Sequence, residues 1–287
     1  WILKKYEDIS RDKYYISPNY YFNKIKLLSK KTKITDFAEP ITFHTNHVKR
    51  FHSWSPYVQG FSSELVDYVI NKYSLNEKSY LFDPFSGSGT VSVQSKLKGV
   101  NSIGIEMMPL MSFMSNVKVN WDFSLIDDLK KNLEKTKTIP KSKSHQTMPF
   151  LRQTNSHFSQ PILQNLLKIK QFVTELQENN EQTKDFFRLA FGSILIPCSR
   201  LKRSPSLGYP KKEKKLDSNV PFKLFNEKIS QIISDLEWAR DNLNKIPESK
   251  IVNGDSRKIS KLGKKVDMAL TSPPYINGMD YVINYKI

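Results

Sequence analysis

Apolar residues occur along this chain in two different spacings, which predict strands and helices in separate stretches. Short apolar or alternating runs predict strands at 80–83 and at 102–105, the second ending at Glu106. The same signal returns far downstream, at 251–252 and at 266–270. The pattern therefore predicts two strands before a long intervening region and two strands after it.

Helical spacing, with apolar residues three or four positions apart, fills much of the remaining chain. It begins at Ser62, and a second helix is predicted from Ser88 to Leu97, closed by Gly99. The region 107–250 is predicted to be a largely helical insertion. Its apolar positions form three groups: Phe123, Ile126, Leu129 and Leu133; Ile162, Leu163, Leu166, Leu167, Ile169, Phe172, Val173 and Leu176; and Phe225, Ile229, Ile232, Ile233, Leu236 and Leu243.

Composition and charge narrow the class of protein. The chain has 287 residues and a formal net charge of +17, which favours a polyanionic partner such as nucleic acid. A generally lysine-rich proteome would give the same excess. The single cysteine, Cys198, excludes an internal disulfide and fits the reducing cytoplasm. The sequence has no run of about 18 apolar residues, so we expect no membrane-spanning helix.

The stretch 81–90 combines a predicted strand, a glycine-rich turn and the start of a helix. Gly87 and Gly89 lack a Cβ, so the backbone there can take positive φ and approach a ligand closely. The pattern is Phe-x-Gly-x-Gly without a phosphate-binding lysine, and Asp83 at the strand end favours an ammonium group over a phosphate. S-adenosylmethionine carries such an ammonium. Glu106, at the end of the next strand, can accept hydrogen bonds from both ribose hydroxyls.

A second loop, Thr-Ser-Pro-Pro-Tyr from Thr271 to Tyr275, follows the last predicted strand. A nucleobase amine is a poor nucleophile because its lone pair is conjugated into the ring. Hydrogen bonds from the amine to Ser272 Oγ and to the Pro273 carbonyl would help to localise that lone pair. Pro273 and Pro274 fix φ, and Tyr275 offers a flat face for a base swung out of the duplex. Direct methyl transfer to such an amine needs positioning and electrostatics, and no metal.

Together the two loops resemble the S-adenosylmethionine-dependent DNA amino-methyltransferases, which make N4-methylcytosine or N6-methyladenine. Residues 82–90 are similar to the cofactor motif of this family nearly letter for letter, and 271–275 resembles its catalytic motif in the serine form. Residues 54–61 are a looser match to the family's flanking cofactor motif, with Phe61 as the expected contact.

The resemblance, which covers about 41–110 and 250–287, implies a Rossmann-like α/β sheet with helices on both faces. Asp255 matches the acidic position that faces the adenine amine of the cofactor, although Gly-Asp-Ser is also an ordinary turn. The implied cofactor-binding residues are Asp83, Phe85, Ser86, Gly87, Gly89, Thr90, Glu106 and Asp255, and the implied catalytic residues are Ser272, Pro273, Pro274 and Tyr275.

The resemblance divides the chain into four segments. We expect a basic N-terminal segment at 1–50, a cofactor-binding part at 51–110, a helical insertion as candidate target-recognition region at 111–250, and a catalytic-loop part at 251–287. A basic stretch in the insertion is expected to contact DNA phosphates, with a merely solvated loop as the alternative. Its candidate DNA-binding residues are Arg200, Lys202, Arg203, Lys211 and Lys212.

The family fold has seven strands, and the three expected after the catalytic loop are absent from this sequence. A sheet cut at that point would leave a long exposed edge beside the active site. We therefore expect either that these residues are a portion of a longer polypeptide or that a second subunit completes the sheet.

In this family the serine form of the catalytic motif goes mostly with cytosine N4, and the aspartate form goes with adenine N6. The resemblance therefore favours N4 methylation of cytosine in double-stranded DNA, within a restriction–modification system that has a cognate endonuclease. Adenine-N6 methylation, RNA base methylation and a non-catalytic nucleic-acid-binding subunit stay open. Pro197-Cys198 echoes the nucleophile motif of enzymes that methylate carbon 5 of cytosine, but Cys198 closes an apolar helical stretch and is expected to be a core or helix-end residue.

Overall fold

The computed structural model describes most of the chain, and the described residues belong to one compact unit, Ile41–Ile287. The described ranges are 43–55, 60–139, 144–147, 154–176, 181–203, 207–212, 214–258 and 264–272.

Strands and helices alternate at both ends of the described part, with a run of helices between them. The strands are β1 (Tyr80–Asp83), β2 (Asn101–Glu106), β3 (Lys202–Arg203), β4 (Leu207–Gly208), β5 (Ser249–Asn253) and β6 (Met268–Ala269). The helices are α1 (Ser63–Lys72), α2 (Thr90–Leu97), α3 (Pro109–Val119), α4 (Ile126–Thr136), α5 (Thr154–His157), α6 (Gln160–Glu175), α7 (Glu181–Cys198) and α8 (Val220–Asn242).

Four parallel strands form the central sheet, in the order β5-β2-β1-β6. The chain steps from β1 to β2 and on to β5 in one direction, and β6 then pairs with the other side of β1. The register places Asp83 opposite Gly104, Glu106 opposite Asn253, and Phe82 opposite Ala269. The strand order thus reverses between β1 and β6, and in open parallel sheets ligands bind at the carboxyl ends of the strands beside such a reversal.

Local signals explain the helices that flank the first strand. The Ser62 hydroxyl accepts a hydrogen bond from the Leu65 amide at 3.4 Å and caps α1. Helix α2 starts immediately after Gly89, whose φ of 85° turns the chain out of the strand direction. Gly99, with φ of 75°, ends the following turn and leads into β2.

Apolar side chains form two separate clusters. The smaller one joins α1 and α2 to β1 through residues such as Val66, Leu81 and Val91. The larger one includes Ile251 of β5 together with side chains from α3, α4, α6, α7 and α8. Because α3 packs against both β5 and α7, the helical region 111–242 shares its core with the sheet.

The segment before the first helix is fastened to α8 by one buried carboxylate. Asp235 accepts hydrogen bonds from Arg50 Nη1 at 2.7 Å, the Phe51 amide at 3.0 Å and Trp54 Nε1 at 2.8 Å. Three donors satisfy the buried charge, which would otherwise be costly. This arrangement fixes the position of Ser55, the last described residue before 56–59.

The predicted mixed fold with a parallel sheet is confirmed. The strands predicted at 80–83, 102–105 and 251–252 are present, while the run at 266–270 forms only the two-residue β6. The basic stretch predicted as a gap between helices contains the antiparallel pair β3–β4. Its strands are two residues each, which is too short for an alternating apolar pattern to predict them. Among the described residues, no helix is both long enough and apolar enough to cross a bilayer.

Candidate active site

Four polar side chains predicted as site residues follow the carboxyl ends of neighbouring strands. Asp83 ends β1, Glu106 ends β2, Asp255 lies two residues beyond β5, and Ser272 lies three residues beyond β6. Because the strands are parallel and adjacent in the order β5-β2-β1-β6, these positions form a row along one edge of the sheet. The fold therefore joins residues that are as much as 189 positions apart in the sequence.

The glycine turn adopts the backbone geometry that its sequence predicts. Gly87 and Gly89 both have positive φ, at 53° and 85°. A Cβ added to Gly89 would lie 2.9 Å from the Ser115 Cβ in α3, so a larger residue does not fit without displacing that helix. The Ser86 amide donates to the Ile105 carbonyl of β2 at 2.9 Å, which holds the turn against the sheet.

Asp83 is buried, with 2% of its surface exposed. Its Oδ1 accepts hydrogen bonds from the Phe85 amide at 3.0 Å and from the Thr271 hydroxyl at 2.7 Å. Burial raises the pKa of this carboxyl to about 6, although the two hydrogen bonds act in the opposite direction. Within the described ranges this buried carboxylate has no cationic partner, and it is poised to receive one, such as the ammonium of an amino-acid moiety.

The bond between Thr271 and Asp83 spans the point where the strand order reverses. Thr271 directly precedes Ser272, so the same contact anchors the beginning of the second predicted loop beside the glycine turn. The Leu270 amide donates to the Phe82 carbonyl at 3.0 Å and continues the β1–β6 pairing up to this point. The candidate cofactor loop and the candidate catalytic loop are therefore linked by a direct hydrogen bond.

Glu106 braces the glycine turn from the next strand. Its Oε2 accepts from the Gly87 amide at 2.7 Å and its Oε1 accepts from the Met108 amide at 2.8 Å. Burial raises the pKa of Glu106, and the backbone hydrogen bonds oppose that rise. Each carboxylate oxygen has a second lone pair, so hydroxyl groups of a ligand can bind there without displacing these contacts.

The turn also contains a buried polar atom that has no protein partner. Ser86 Oγ is buried and makes no hydrogen bond within the described part of the chain, which is uncommon for a buried hydroxyl. Together with the glycine backbone and the buried Asp83, it forms a surface with donors, acceptors and an acidic group. This combination fits an amino-acid-bearing cofactor such as S-adenosylmethionine better than a phosphate.

Asp255 is engaged within its own turn. Its carboxylate forms a forked ion pair with Arg257, with Oδ2 to Nη2 at 2.7 Å and Oδ1 to Nε at 3.0 Å. The Arg257 contacts lower the pKa of Asp255 to about 2. A ligand amine would therefore have to share this carboxylate with Arg257, and a cofactor contact at Asp255 stays a prediction.

Several other predicted residues can be placed. Thr90 is the first residue of α2 and is buried, while Phe85 is half-buried beside Asp83. Phe61 packs in the smaller apolar cluster. Pro273, Pro274 and Tyr275 lie outside the described residues, so their roles remain sequence-based predictions.

The candidate DNA-binding residues lie just before, on and just after the β3–β4 hairpin. Lys202, Lys211 and Lys212 are exposed, and Arg200 Nη1 donates to the Ser156 carbonyl at 3.4 Å. Arg203 is paired through its backbone in β3, and its side chain lies outside the described atoms. Exposed lysines at a hairpin are compatible with phosphate contacts.

One lysine of the same stretch has a different role. Lys214 Nζ donates to the carbonyls of Ile196 at 3.4 Å and Ser199 at 3.2 Å, and to that of Leu201. It therefore caps the carboxyl end of α7. The charge pattern alone did not distinguish this structural lysine from its exposed neighbours.

Cys198 is the last residue of α7 and is 1% exposed, as predicted for a core or helix-end residue. It borders a cavity of about 310 Å³ that is also lined by Arg200 and Lys214. Burial raises the pKa of its thiol to about 12, so it is not a thiolate at neutral pH. A nucleophilic role of the kind used in carbon-5 methylation does not fit this environment.

Two residues that the structure connects to the site were not predicted from the sequence. The role of Thr271 could not be inferred because its partner Asp83 lies 188 residues away. Lys118 of α3 is buried and its Nζ donates to the Ser88 carbonyl in the glycine turn at 3.4 Å. A lysine at a helical position usually lies on the surface, so no sequence signal marks it.

Comparison with known proteins adds independent support for the resemblance. Residues 3–112 match a family model described as DNA methylase, for the N6/N4 methyltransferase type. The match contains the glycine turn, β1 and β2. No solved structure matches this chain.

Similar curated proteins are all type II methyltransferases. Over 86% of this chain, M.BsoBI of Geobacillus stearothermophilus is 26% identical and M.MjaII of Methanocaldococcus jannaschii is 24% identical. M.AvaI of a Nostoc species is 23% identical over the same share. The matches extend over 53%, 63% and 55% of these relatives, so the chain spans little more than half of their length.

Proposed function

We propose that this chain is an S-adenosylmethionine-dependent enzyme that methylates an exocyclic amine in double-stranded DNA, with cytosine N4 as the target. The match of residues 3–112 to the N6/N4 DNA methylase model and the similarity to type II methyltransferases support this proposal. The observation that carries this proposal is the hydrogen bond between Thr271 and Asp83. It joins the loop expected to bind the methyl donor to the loop expected to hold the target amine.

Different residues of the described part would bind different groups of the cofactor. S-adenosylmethionine, when bound, supplies an electrophilic methyl group on a sulfonium. The buried Asp83 carboxylate would bind the ammonium of the cofactor, and Glu106 would accept its ribose hydroxyls. Because Gly87 and Gly89 have no Cβ, the cofactor can approach the backbone of the turn closely.

The catalytic loop would act on the nucleobase. Ser272 Oγ and the Pro273 carbonyl accept hydrogen bonds from the amine, which localises its lone pair toward the methyl group. Tyr275 stacks on the base after it leaves the duplex. The amine would attack the methyl carbon directly as the carbon–sulfur bond breaks, and the proton of the methylated amine would then pass to water. The contribution of the protein is therefore orientation and charge stabilisation.

The serine form of the loop supports cytosine N4 over adenine N6, through the family resemblance of residues 271–275. The type II methyltransferase names of the relatives support a place in a restriction–modification system with a cognate endonuclease.

Nucleoside mass spectrometry tests the activity directly. The protein is incubated with unmethylated plasmid DNA and S-adenosylmethionine, and the DNA is then digested to nucleosides. We expect N4-methylcytosine. Accumulation of N6-methyladenine would keep the enzyme class and overturn the choice of base, whereas preferential methylation of transfer RNA in a competition assay would overturn the DNA substrate.

We expect the paired substitutions Lys211→Ala and Lys212→Ala to weaken DNA binding and to reduce its dependence on salt. Both lysines are exposed after the β3–β4 hairpin. If each neutralises one phosphate, the slope of log K against log salt should become shallower by about 2. Fluorescence anisotropy of a labelled duplex, measured at several salt concentrations, gives this slope.

Lys130 and Lys223 provide a matched control, because they are exposed lysines on α4 and α8 and their replacement changes the net charge by the same amount. The slope should be unchanged in the double variant Lys130→Ala, Lys223→Ala. An equal decrease in both double variants would show that total charge, rather than the hairpin region, governs binding.

A further inference from the structure

Lys118 is a buried lysine whose partners are backbone carbonyl groups. It lies in α3 with 2% of its surface exposed. Its Nζ donates to the Ser55 carbonyl at 3.1 Å and to the Ser88 carbonyl at 3.4 Å. Both of these hydrogen-bond partners in the described part of the chain are neutral, so the amine is not held there by an ion pair.

Burial of the Lys118 amino group is unfavourable, so we expect this lysine to have a role that compensates for the desolvation cost. Burial, with a smaller contribution from nearby Lys228, lowers the pKa of Lys118 to about 7. An apolar residue of similar length would avoid the desolvation cost. An apolar residue could not, however, donate hydrogen bonds to the two carbonyl oxygens.

One carbonyl belongs to the glycine turn of the candidate cofactor site, and the other belongs to a segment that resembles the family's flanking cofactor motif. Ser88 lies between Gly87 and Gly89 in the glycine turn, and Ser55 belongs to residues 54–61, which resemble the flanking cofactor motif. Asp235 holds the segment that ends at Ser55 through Trp54 Nε1. Lys118 binds the Ser55 carbonyl of the same segment and connects it to the turn.

We propose that Lys118 is a positioning residue for S-adenosylmethionine, which sets the glycine turn and the Ser55 segment at the spacing that the cofactor requires. This inference rests on the proposed function. Without the two hydrogen bonds, the turn would have to reorganise when the cofactor binds, so part of the binding free energy would be lost. Lys118 itself need not touch the cofactor.

Lys96 provides a matched control for the test. It is also a buried lysine, 6% exposed, and its Nζ donates to the Val119 carbonyl at 2.6 Å. Burial lowers the pKa of Lys96 to about 8. It has the same chemistry in the same part of the fold, but its partner lies outside the glycine turn.

The experiment compares Lys118→Met and Lys96→Met in the full chain, by titration calorimetry with S-adenosylmethionine and by thermal unfolding. Thermal unfolding checks that each variant is folded. We expect Lys118→Met to weaken cofactor binding about tenfold, the scale of a lost hydrogen bond from a charged group. Lys96→Met should change it less than about twofold, and DNA affinity should be unchanged in both.

Lys118→Gln keeps an N–H donor on a shorter side chain, and it replaces the methionine variant in the test if that variant does not fold. It should show a smaller loss of cofactor affinity. Equal loss of cofactor affinity in the Lys118 and Lys96 variants would overturn the inference, as would unchanged affinity in a folded Lys118 variant. If the wild-type chain itself does not bind S-adenosylmethionine, the proposed function fails, which is a distinguishable result.

Discussion

Asp83→Asn is expected to weaken the binding of S-adenosylmethionine about 100-fold, while the protein stays folded. The carboxylate is buried and would be the partner of the cofactor ammonium, and loss of one member of a buried charge pair commonly has this effect. Asparagine is nearly isosteric, and its Oδ1 can keep accepting from the Phe85 amide and the Thr271 hydroxyl. Titration calorimetry with the cofactor measures the change.

Asp67→Asn is the matched control. Asp67 is a partly exposed carboxylate on α1 that accepts from Gln94 Nε2 at 2.7 Å and pairs with Lys98. Its replacement makes the same chemical change outside the glycine turn and should alter cofactor affinity less than about twofold. Wild-type affinity in a folded Asp83→Asn variant would contradict the ammonium-binding role.

The pH dependence of binding gives a second readout of Asp83. Its pKa in the free protein is about 6, and a bound ammonium would lower that pKa because it favours the carboxylate. Cofactor affinity of the wild type should therefore be constant between pH 6 and about 7.5, where the α-amino group of the cofactor begins to lose its proton, and should fall as pH falls below 6. The Asp83→Asn variant should lose this dependence, and a persistent decline would assign it to another group.

Asp83 should also influence stability without ligand. Its pKa is higher in the folded protein than the ordinary value of 3.8, so the folded state binds more protons between these values. Stability therefore falls as pH rises from about 4 to 6, by as much as about 3 kcal/mol. Asp83→Asn should raise Tm at pH 8 and leave it nearly unchanged at pH 3.5.

Ser272→Ala is expected to lower the rate of methyl transfer about 100-fold and to leave cofactor affinity within about twofold. The hydroxyl would accept a hydrogen bond from the target amine as it becomes nucleophilic, and removal of one such group has this scale of effect. Ser272 follows the Thr271 anchor and lies outside the glycine turn. Single-turnover methylation of a duplex, combined with cofactor titration, separates the two quantities.

Ser272→Asp tests the same role by restoration. The aspartate form of the family motif also places an acceptor at this position, so the aspartate variant should be faster than Ser272→Ala. Equal rates for the two variants, or a wild-type rate for Ser272→Ala, would remove Ser272 from the proposed mechanism.

Short-range patterns predicted much of the sheet and the glycine turn. The run Tyr80–Asp83 is apolar and short, and the two glycines that follow it impose the turn wherever the segment lies in the fold. The strand at 266–270 was predicted from the same kind of signal, but only Met268–Ala269 pair with β1. Apolar spacing indicates that a segment can be buried, and it does not say how many residues find a partner.

Buried charged residues were beyond the reach of such patterns. Charged residues in helices usually face water. In this protein, however, three of them are almost fully buried and bind backbone groups of other segments: Lys118, Lys96 and Asp235. Lys214 stands among basic residues expected at a DNA surface, but it caps α7. The residue type determines the charge of each side chain, whereas its partners depend on which elements pack together.

The residues themselves determined the chemistry available to this protein: a glycine turn with an acidic residue at its strand end, and a distant serine–proline–proline–tyrosine loop. Only the tertiary structure decided that the start of this loop lies beside the turn, through the β5-β2-β1-β6 order and the bond between Thr271 and Asp83. The reason is that turns and strands arise from interactions between near neighbours in the chain. A contact across 188 residues exists only after parallel strands have aligned their carboxyl ends along one edge.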